Sequence, residues 1–273
     1  MSLRIGNLIL GNEPNSPALE MTLVGGEFEF EESAIIAITG SDFHPTMNGE
    51  SVALWTSVPV NKGQVIRFAA TAEGARCYVC IRGGFSIPPV MGSASTHLFT
   101  GIGGWKGRAL QKDDCLPYFS SDGDTFPLRH FPRDFLYLFK ERGLLHVTEG
   151  PQQDQFSLES QQQFFSSGYE VSEAADRMGL RLVGPALSRL TTEDMMTEGA
   201  SLGAIQVTHD GQPIILFVEH QTTGGYPKIA NVISSDLHRV GQLRPRDPVR
   251  FQFVSLQEAQ SLQKEKEALL HPW

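Results

Sequence analysis

The nine residues His220-Gln-Thr-Thr-Gly-Gly-Tyr-Pro-Lys228 hold the densest set of chemically useful groups in this chain. Gly224 and Gly225 let the backbone take positive φ and approach a bound group closely. Gln221, Thr222, Thr223 and Tyr226 bring neutral donors and acceptors, and Lys228 brings a positive charge. Such a set suits a pocket for a small, polar, partly anionic molecule. It also suits a long hairpin loop with ordinary turn chemistry. Pro227 fixes its own φ and restricts Tyr226, so Lys228 leaves the segment in a defined direction.

Other groups with chemical potential are fewer. Asp176-Arg177, in a loop-like context, can hold a carboxylate or clamp its own backbone, and Thr197-Glu-Gly199 reads the same way. Cys77 and Cys80 form a Cys-x-x-Cys, but a zinc site needs a second ligand pair and Cys115 is the one further cysteine. Their context is β-rich, where residues three apart point to opposite faces, so inert strand cysteines are expected. Gly101-Ile-Gly-Gly-Trp-Lys-Gly107 lacks the Gly-Lys-Ser/Thr ending and the following helix of a phosphate loop. It reads as a tight connection over a sheet, or as backbone N–H groups presented to an anion. The eight histidines, including His271, show no metal-ligand spacing, and there is no Gly-x-Ser-x-Gly elbow.

The elements that must position these groups read as β. Short apolar or alternating runs at 28–30, 35–39, 52–55, 65–70 and 77–81 are separated by Gly-containing turns. That spacing suggests a sandwich or barrel. Three similar segments, at 60–66, 110–116 and 243–249, read as turns feeding barrel strands. Residues 123–139, rich in Pro and aromatics, look like a crossing between two halves, and a second β unit opens at Leu144. Strands are expected at 203–207, 214–218 and 229–233, flanking the Lys228 segment. Residues 154–165 fit a helical turn or more. Ser255-Leu-Gln-Glu258 is a capping-box pattern that opens a helix running to about Leu270, with its Lys/Glu-rich face solvated.

Composition bounds the partners. A net charge of −9 gives no basic excess to neutralise phosphates, which argues against nucleic acid. No apolar stretch reaches about 18 residues, so no membrane span is expected. Three cysteines without a leader-like N-terminus fit a reducing, cytoplasmic setting.

Several ordered blocks resemble one family. They are Leu8-Ile-Leu-Gly-Asn12 with Leu19-Glu-Met-Thr-Leu23, Gly92-Ser-Ala-Ser-Thr96 through Gly103-Gly-x-x-Gly-Arg-Ala-Leu110, and Asp176-Arg-Met-Gly-x-Arg-Leu-x-Gly-Pro-Ala-Leu187. After them come Gly203-Ala-Ile-Gln-Val207, Asp210-Gly-Gln-Pro-Ile214, Gln221-Thr-Thr-Gly-Gly-Tyr-Pro-Lys-Ile-Ala230 and Gln242-Leu-Arg-Pro-x-Asp247. Together they resemble the biotin-dependent carboxyltransferase family, which includes 5-oxoprolinase C subunits, Kip antagonists, allophanate-hydrolase-type second subunits and a domain of urea carboxylase. Two departures stand out. Family members carry an earlier segment with Gln-Asp-x-Gly-Arg and Ser-Gly-x-x-Asp patterns, whereas this chain opens Met1-Ser-Leu-Arg-Ile5. Ala94 stands where Arg is common and His97 where an aromatic is usual, so an anion contact expected of that Arg is missing.

The resemblance implies a mainly β fold of two cyclophilin-like β-barrel lobes with few short helices and a C-terminal helix. The lobes would span 1–138 and 139–273. It implies a subunit of an ATP-dependent 5-oxoprolinase complex that opens 5-oxoproline to L-glutamate, with ATP used through the assembled complex and no metal. The partners would be a first, Kip-inhibitor-like subunit and a lactam-utilisation subunit. The alternatives are a regulatory binding protein of the Kip-antagonist type and a urea- or allophanate-type carboxyltransferase subunit, in which biotin would take part. Both kinds of reaction need donors that polarise a carbonyl and a cation that holds developing negative charge. On that implication Lys228, Tyr226 and Gln221 are the catalytic candidates. Thr222, Thr223, Gly224, Gly225, Gln206, Arg177, Asp176 and Glu198 are the candidates for holding substrate.

Overall fold

The computed structural model describes residues 1–119, 126–191 and 195–270; His271 and residues 123–125 of the expected crossing lie outside them. The chain falls into two compact units, Met1–Leu136 and Tyr137–Pro272.

In the first unit, strands Leu19–Thr22, Arg76–Ile81, Ala34–Gly40 and Ser57–Val60 lie side by side in that order, all antiparallel. A second four-stranded sheet orders Glu27–Glu29, Val65–Arg67, Thr46–Met47 and Glu50–Ser51. The strand expected at 52–55 does not form. Trp55 takes φ 59°, which breaks extended geometry, and pairing resumes at Ser57. The N-terminal helix Ser2–Ile9, which the strand pattern did not reveal, packs where Gly6 leaves room. A Cβ there would lie 2.6 Å from Cys80 Sγ. Cys77 and Cys80 are both fully buried on one strand, and burial pushes both thiols up to about 12. They are inert core residues at neutral pH.

The second unit is a closed barrel of seven strands. Around the ring they are Leu144–Glu149, Lys228–Val232, Ala204–Val207, Pro213–Leu216, Gly179–Val183, Tyr169–Val171 and Pro248–Phe253. A parallel pairing of Leu144–Val147 with Arg250–Phe253 closes the ring, and every other neighbour is antiparallel. Closure removes the sheet edges that would otherwise need covering. The first unit's second sheet has strands of only two or three residues. The mainly β expectation therefore holds throughout, and a closed barrel is found in the second unit. Of the three turn-like segments, those at 60–66 and 243–249 lead into strands. Among the described residues, the one at 110–116 leads to an isolated bridge between Tyr118 and Phe85.

Helix Leu158–Ser166 opens on Ser157, whose Oγ accepts from the Ser160 N–H at 3.1 Å. It lays Phe164 against Phe251 of the barrel, ring on ring at 4.4 Å. The capping box at the last helix forms as its pattern predicts: Glu258 Oε2 accepts from the Ser255 N–H at 2.7 Å, and Ser255 Oγ accepts from the Glu258 N–H at 3.2 Å. Lys266 of this helix departs from the solvated-face expectation, because its Nζ donates to the Ser235 carbonyl at 3.0 Å.

Phe251 is buried in the barrel core and touches both Phe164 and Tyr169. Phe251→Ala should cost about 3–5 kcal/mol through lost burial and the cavity left behind. Phe251→Leu should cost much less. Denaturant unfolding of the two variants checks this order.

Candidate active site around Lys228

Lys228 opens a barrel strand rather than ending a loop. It stands opposite Gln206 across the ladder, while Ala230 stands opposite Ile205, so Ile229 is an extra residue on its strand. Such a bulge re-aims the side chains on either side of it. The result is that Lys228 turns inward: its side chain is only 4% exposed.

The Nζ of Lys228 lies 2.5 Å from Oε1 of Glu198, whose side chain is 44% exposed. The contact is an ion pair at a poor hydrogen-bonding angle, and among the described residues Nζ has no hydrogen-bond partner. Glu198 comes from a two-residue strand, Glu198–Gly199, laid against Thr223–Gly224. The Ala200 N–H donates to the Thr222 carbonyl at 2.9 Å and extends that pairing. The polar segment at 221–225 thus works mainly as the rail that carries Glu198 to Lys228.

Gln152 ties the pair together. Its backbone N–H donates to the Lys228 carbonyl at 3.2 Å, and its Oε1 accepts from the Lys228 N–H at 3.1 Å. Its Nε2 donates to Glu198 Oε1 at 2.6 Å. Lys228, then Gln152, hold the Glu198 carboxyl below the usual glutamate range. An open cavity of about 510 Å³ adjoins the pair, lined by Pro151, residues 198–201, Lys228 and Asn231.

Beneath the rail lies a second amide pair. Gln221 Nε2 donates to Gln206 Oε1 at 3.1 Å, and the almost fully buried Gln206 donates weakly to the Tyr226 carbonyl at 3.4 Å. Gly224 gives the Gln206 amide its space and does not serve positive φ. A Cβ would lie 2.6 Å from Gln206 Nε2, and neither Gly224 nor Gly225 takes a left-handed backbone. Tyr226 sets its ring edge-on to His209, with centroids 5.3 Å apart.

The structure therefore brings Lys228 and Glu198 into contact and joins Gln206 to Gln221 close by. Thr222, Thr223, Gly224 and Gly225 form the rail. Asp176 and Arg177 are engaged elsewhere. Asp176 Oδ1 accepts from the Met178 and Gly179 N–H groups at 2.8 and 3.1 Å, which is the backbone clamp, and Arg177 Nε pairs with Glu219 at 2.7 Å. Neither lines the cavity. Sequence reasoning missed Gln152, since Gly150-Pro-Gln-Gln153 carries no chemical pattern beyond a turn. Among the described residues, no three His, Cys, Asp or Glu side chains come together as metal ligands. No described helix is long and apolar enough to cross a membrane.

Two outcomes follow from this geometry. Gly224→Ala should push the Gln206 amide out of register and weaken the Gln206–Gln221 contact, with a melting temperature that falls by a few degrees at most. A crystal structure or amide NMR shifts at Gln206 check it. The Glu198 carboxyl is lowered in the folded chain, so its stabilisation is present above the ordinary glutamate range and is lost as pH falls through the lower folded value. The difference in melting temperature between wild type and Glu198→Gln should hold steady from neutral pH to about pH 5 and close in stronger acid.

Comparison with known proteins places this chain in a family. Residues 1–253 match the family model described as carboxyltransferase domain, subdomain A and B. The C subunit of 5-oxoprolinase from Escherichia coli K12 is 38% identical over 258 residues, covering 94% of this chain and 82% of that protein. The protein of the same name from Haemophilus influenzae is 34% identical over 272 residues, covering 99% and 85%. Among solved structures, the urea carboxylase of Kluyveromyces lactis superposes with a TM-score of 0.90 at 30% identity. That match covers 97% of this chain but 25% of the much longer enzyme. A family match over most of the length, two relatives of similar span and a shared fold lead to one conclusion: the chain belongs to the carboxyltransferase-domain family of subdomains A and B, alongside the 5-oxoprolinase C subunits.

Proposed function

We propose that this chain is the carboxyltransferase-like subunit of an ATP-dependent 5-oxoprolinase, acting on 5-oxoproline to give L-glutamate with partner subunits. The observation that carries the reading is the buried Lys228 ammonium, met by a single carboxylate beside an open cavity, in a chain similar along its length to 5-oxoprolinase C subunits. The substrate is an anion that also carries a lactam carbonyl. A buried cation suits its carboxylate, or the negative charge that develops as the lactam opens, because electrostatic contacts strengthen away from water. Gln152 holds the Lys228 backbone and so fixes the root of that cation. The Gln206–Gln221 amides and the Tyr226 hydroxyl are the neutral groups available to orient a carbonyl.

The relatives are named as subunits, and the partners here would be a Kip-inhibitor-like first subunit and a lactam-utilisation subunit. ATP use belongs to that assembled complex, and the protein would act in the cytoplasm. The likeness to urea carboxylase favours a second reading, carboxyl transfer to a urea-like amide. Biotin would then supply an N-carboxyl group, and Lys228 is the residue whose charge fits it.

The test is 5-oxoproline-dependent ATP hydrolysis by the reconstituted complex. Because Lys228 is buried, Lys228→Met is a better probe than Ala: it keeps the volume and removes the charge. Losing a charge-assisted contact of roughly 1.5–3 kcal/mol should lower kcat/KM about ten- to a hundredfold. The chain alone should show no turnover. Wild-type rates in the Lys228→Met complex, or robust turnover without partners, would overturn the reading.

A further inference from the structure

The two members of the Lys228–Glu198 pair are held very differently. Lys228 belongs to a barrel strand, and its side chain is almost wholly buried. Glu198 sits on a two-residue strand with two rungs to its neighbour, and nearly half its side chain meets water. The cation is fixed and the anion is on a removable arm. The Lys228 ammonium, by charge, and Gln152 Nε2, by a hydrogen bond, meet the same oxygen, Oε1, at 2.5 and 2.6 Å. Neither group is anchored in the fold through Glu198. Gln152 is buried and locked to the Lys228 backbone by two hydrogen bonds. A cradle of one cation and one N–H donor for a carboxylate oxygen therefore persists if the Glu198 strand moves away.

We infer that Lys228 and Gln152 form an anion-exchange site in which Glu198 occupies the place of a ligand's carboxylate or carbonate oxygen, and the ligand enters by displacing it. This rests on the reading that the Lys228 cavity is the reaction site, and it specifies the class of ligand: a small monoanion with a carboxylate-type oxygen. Leaving a buried ammonium without any counter-charge is strongly unfavourable, so the site needs an anion at all times. Exchange of one carboxylate for another satisfies that need. The displaced Glu198 returns to water, which already meets nearly half of its side chain. The adjoining cavity gives the incoming anion room. Glu198 is then a specificity-determining residue that competes with ligand, and not a group that holds it.

Calorimetric titration of the full chain with potassium acetate, potassium bicarbonate and L-5-oxoproline, at constant ionic strength and neutral pH, tests this. Glu198→Gln should bind the anions about tenfold more tightly than wild type, a difference of ~1.4 kcal/mol. Glu198→Ala should shift affinity the same way, and Lys228→Met should abolish binding while circular dichroism shows the fold retained. Equal or weaker binding by both Glu198 variants, or no saturable binding by either, would overturn the inference. If acetate follows the expected pattern while the reconstituted complex turns over normally with Lys228→Met, the exchange site stands and the 5-oxoprolinase reading of the cavity falls.

Discussion

Taking an ammonium out of water costs several kcal/mol unless a counter-charge and hydrogen bonds meet it. The barrel imposes that constraint on itself by turning Lys228 inward, and the features around the cavity answer it. Glu198 supplies the counter-charge and Gln152 steadies both partners. The Thr223–Gly224 rail delivers Glu198 from a part of the sequence some thirty positions before Lys228. Buried ion pairs are weak evidence for stability, because apolar residues of equal volume often serve a core as well. A charge kept under those terms beside an open cavity is more economically explained by chemistry than by folding.

The barrel holds the Lys228 and Gln152 side of this arrangement. Its parallel closure between Leu144–Val147 and Arg250–Phe253 leaves each strand with two neighbours, and the core of Leu145, Val147, Leu182, Ile205, Ile215 and Phe251 fills the interior. Gly150 lets the turn before Gln152 pass close to the ladder: a Cβ there would lie 2.2 Å from the Lys228 carbonyl and 2.5 Å from the Ala230 nitrogen. The close approach that brings Gln152 to Lys228 thus depends on a missing side chain in a segment with no functional pattern. Glycines at the site serve proximity more than left-handed backbone.

Much of the fold was legible along the chain. Most of the strands that alternating and apolar runs predicted formed within a few residues, and Ser255 with Glu258 located the last helix, because those signals are local. The helix Ser2–Ile9 was not legible: its apolar residues also fit a buried strand, and Gly6 sits within it to meet Cys80, a contact made across the fold. The strand expected at 52–55 is absent because Trp55 takes left-handed geometry, which in a bulky residue has no sequence signal.

For the site, the sequence by itself determined that Gln221 to Lys228 would be chemically dense and that a lysine would sit at its end. Residue types and turn chemistry are enough for that. The resemblance in ordered motifs then gave the family. Tertiary structure alone decided which of those residues meet. The bulge at Ile229 re-aimed Lys228, whose side chain is buried, the rail brought Glu198 against it, and the turn after Leu144–Glu149 set Gln152 against both. Asp176 and Arg177, equally suggestive as a motif, were taken up by a backbone clamp and by Glu219. The physical reason is that burial and pairing of charge are set by strand register and ladder neighbours. These join residues far apart in sequence, and no local pattern encodes them.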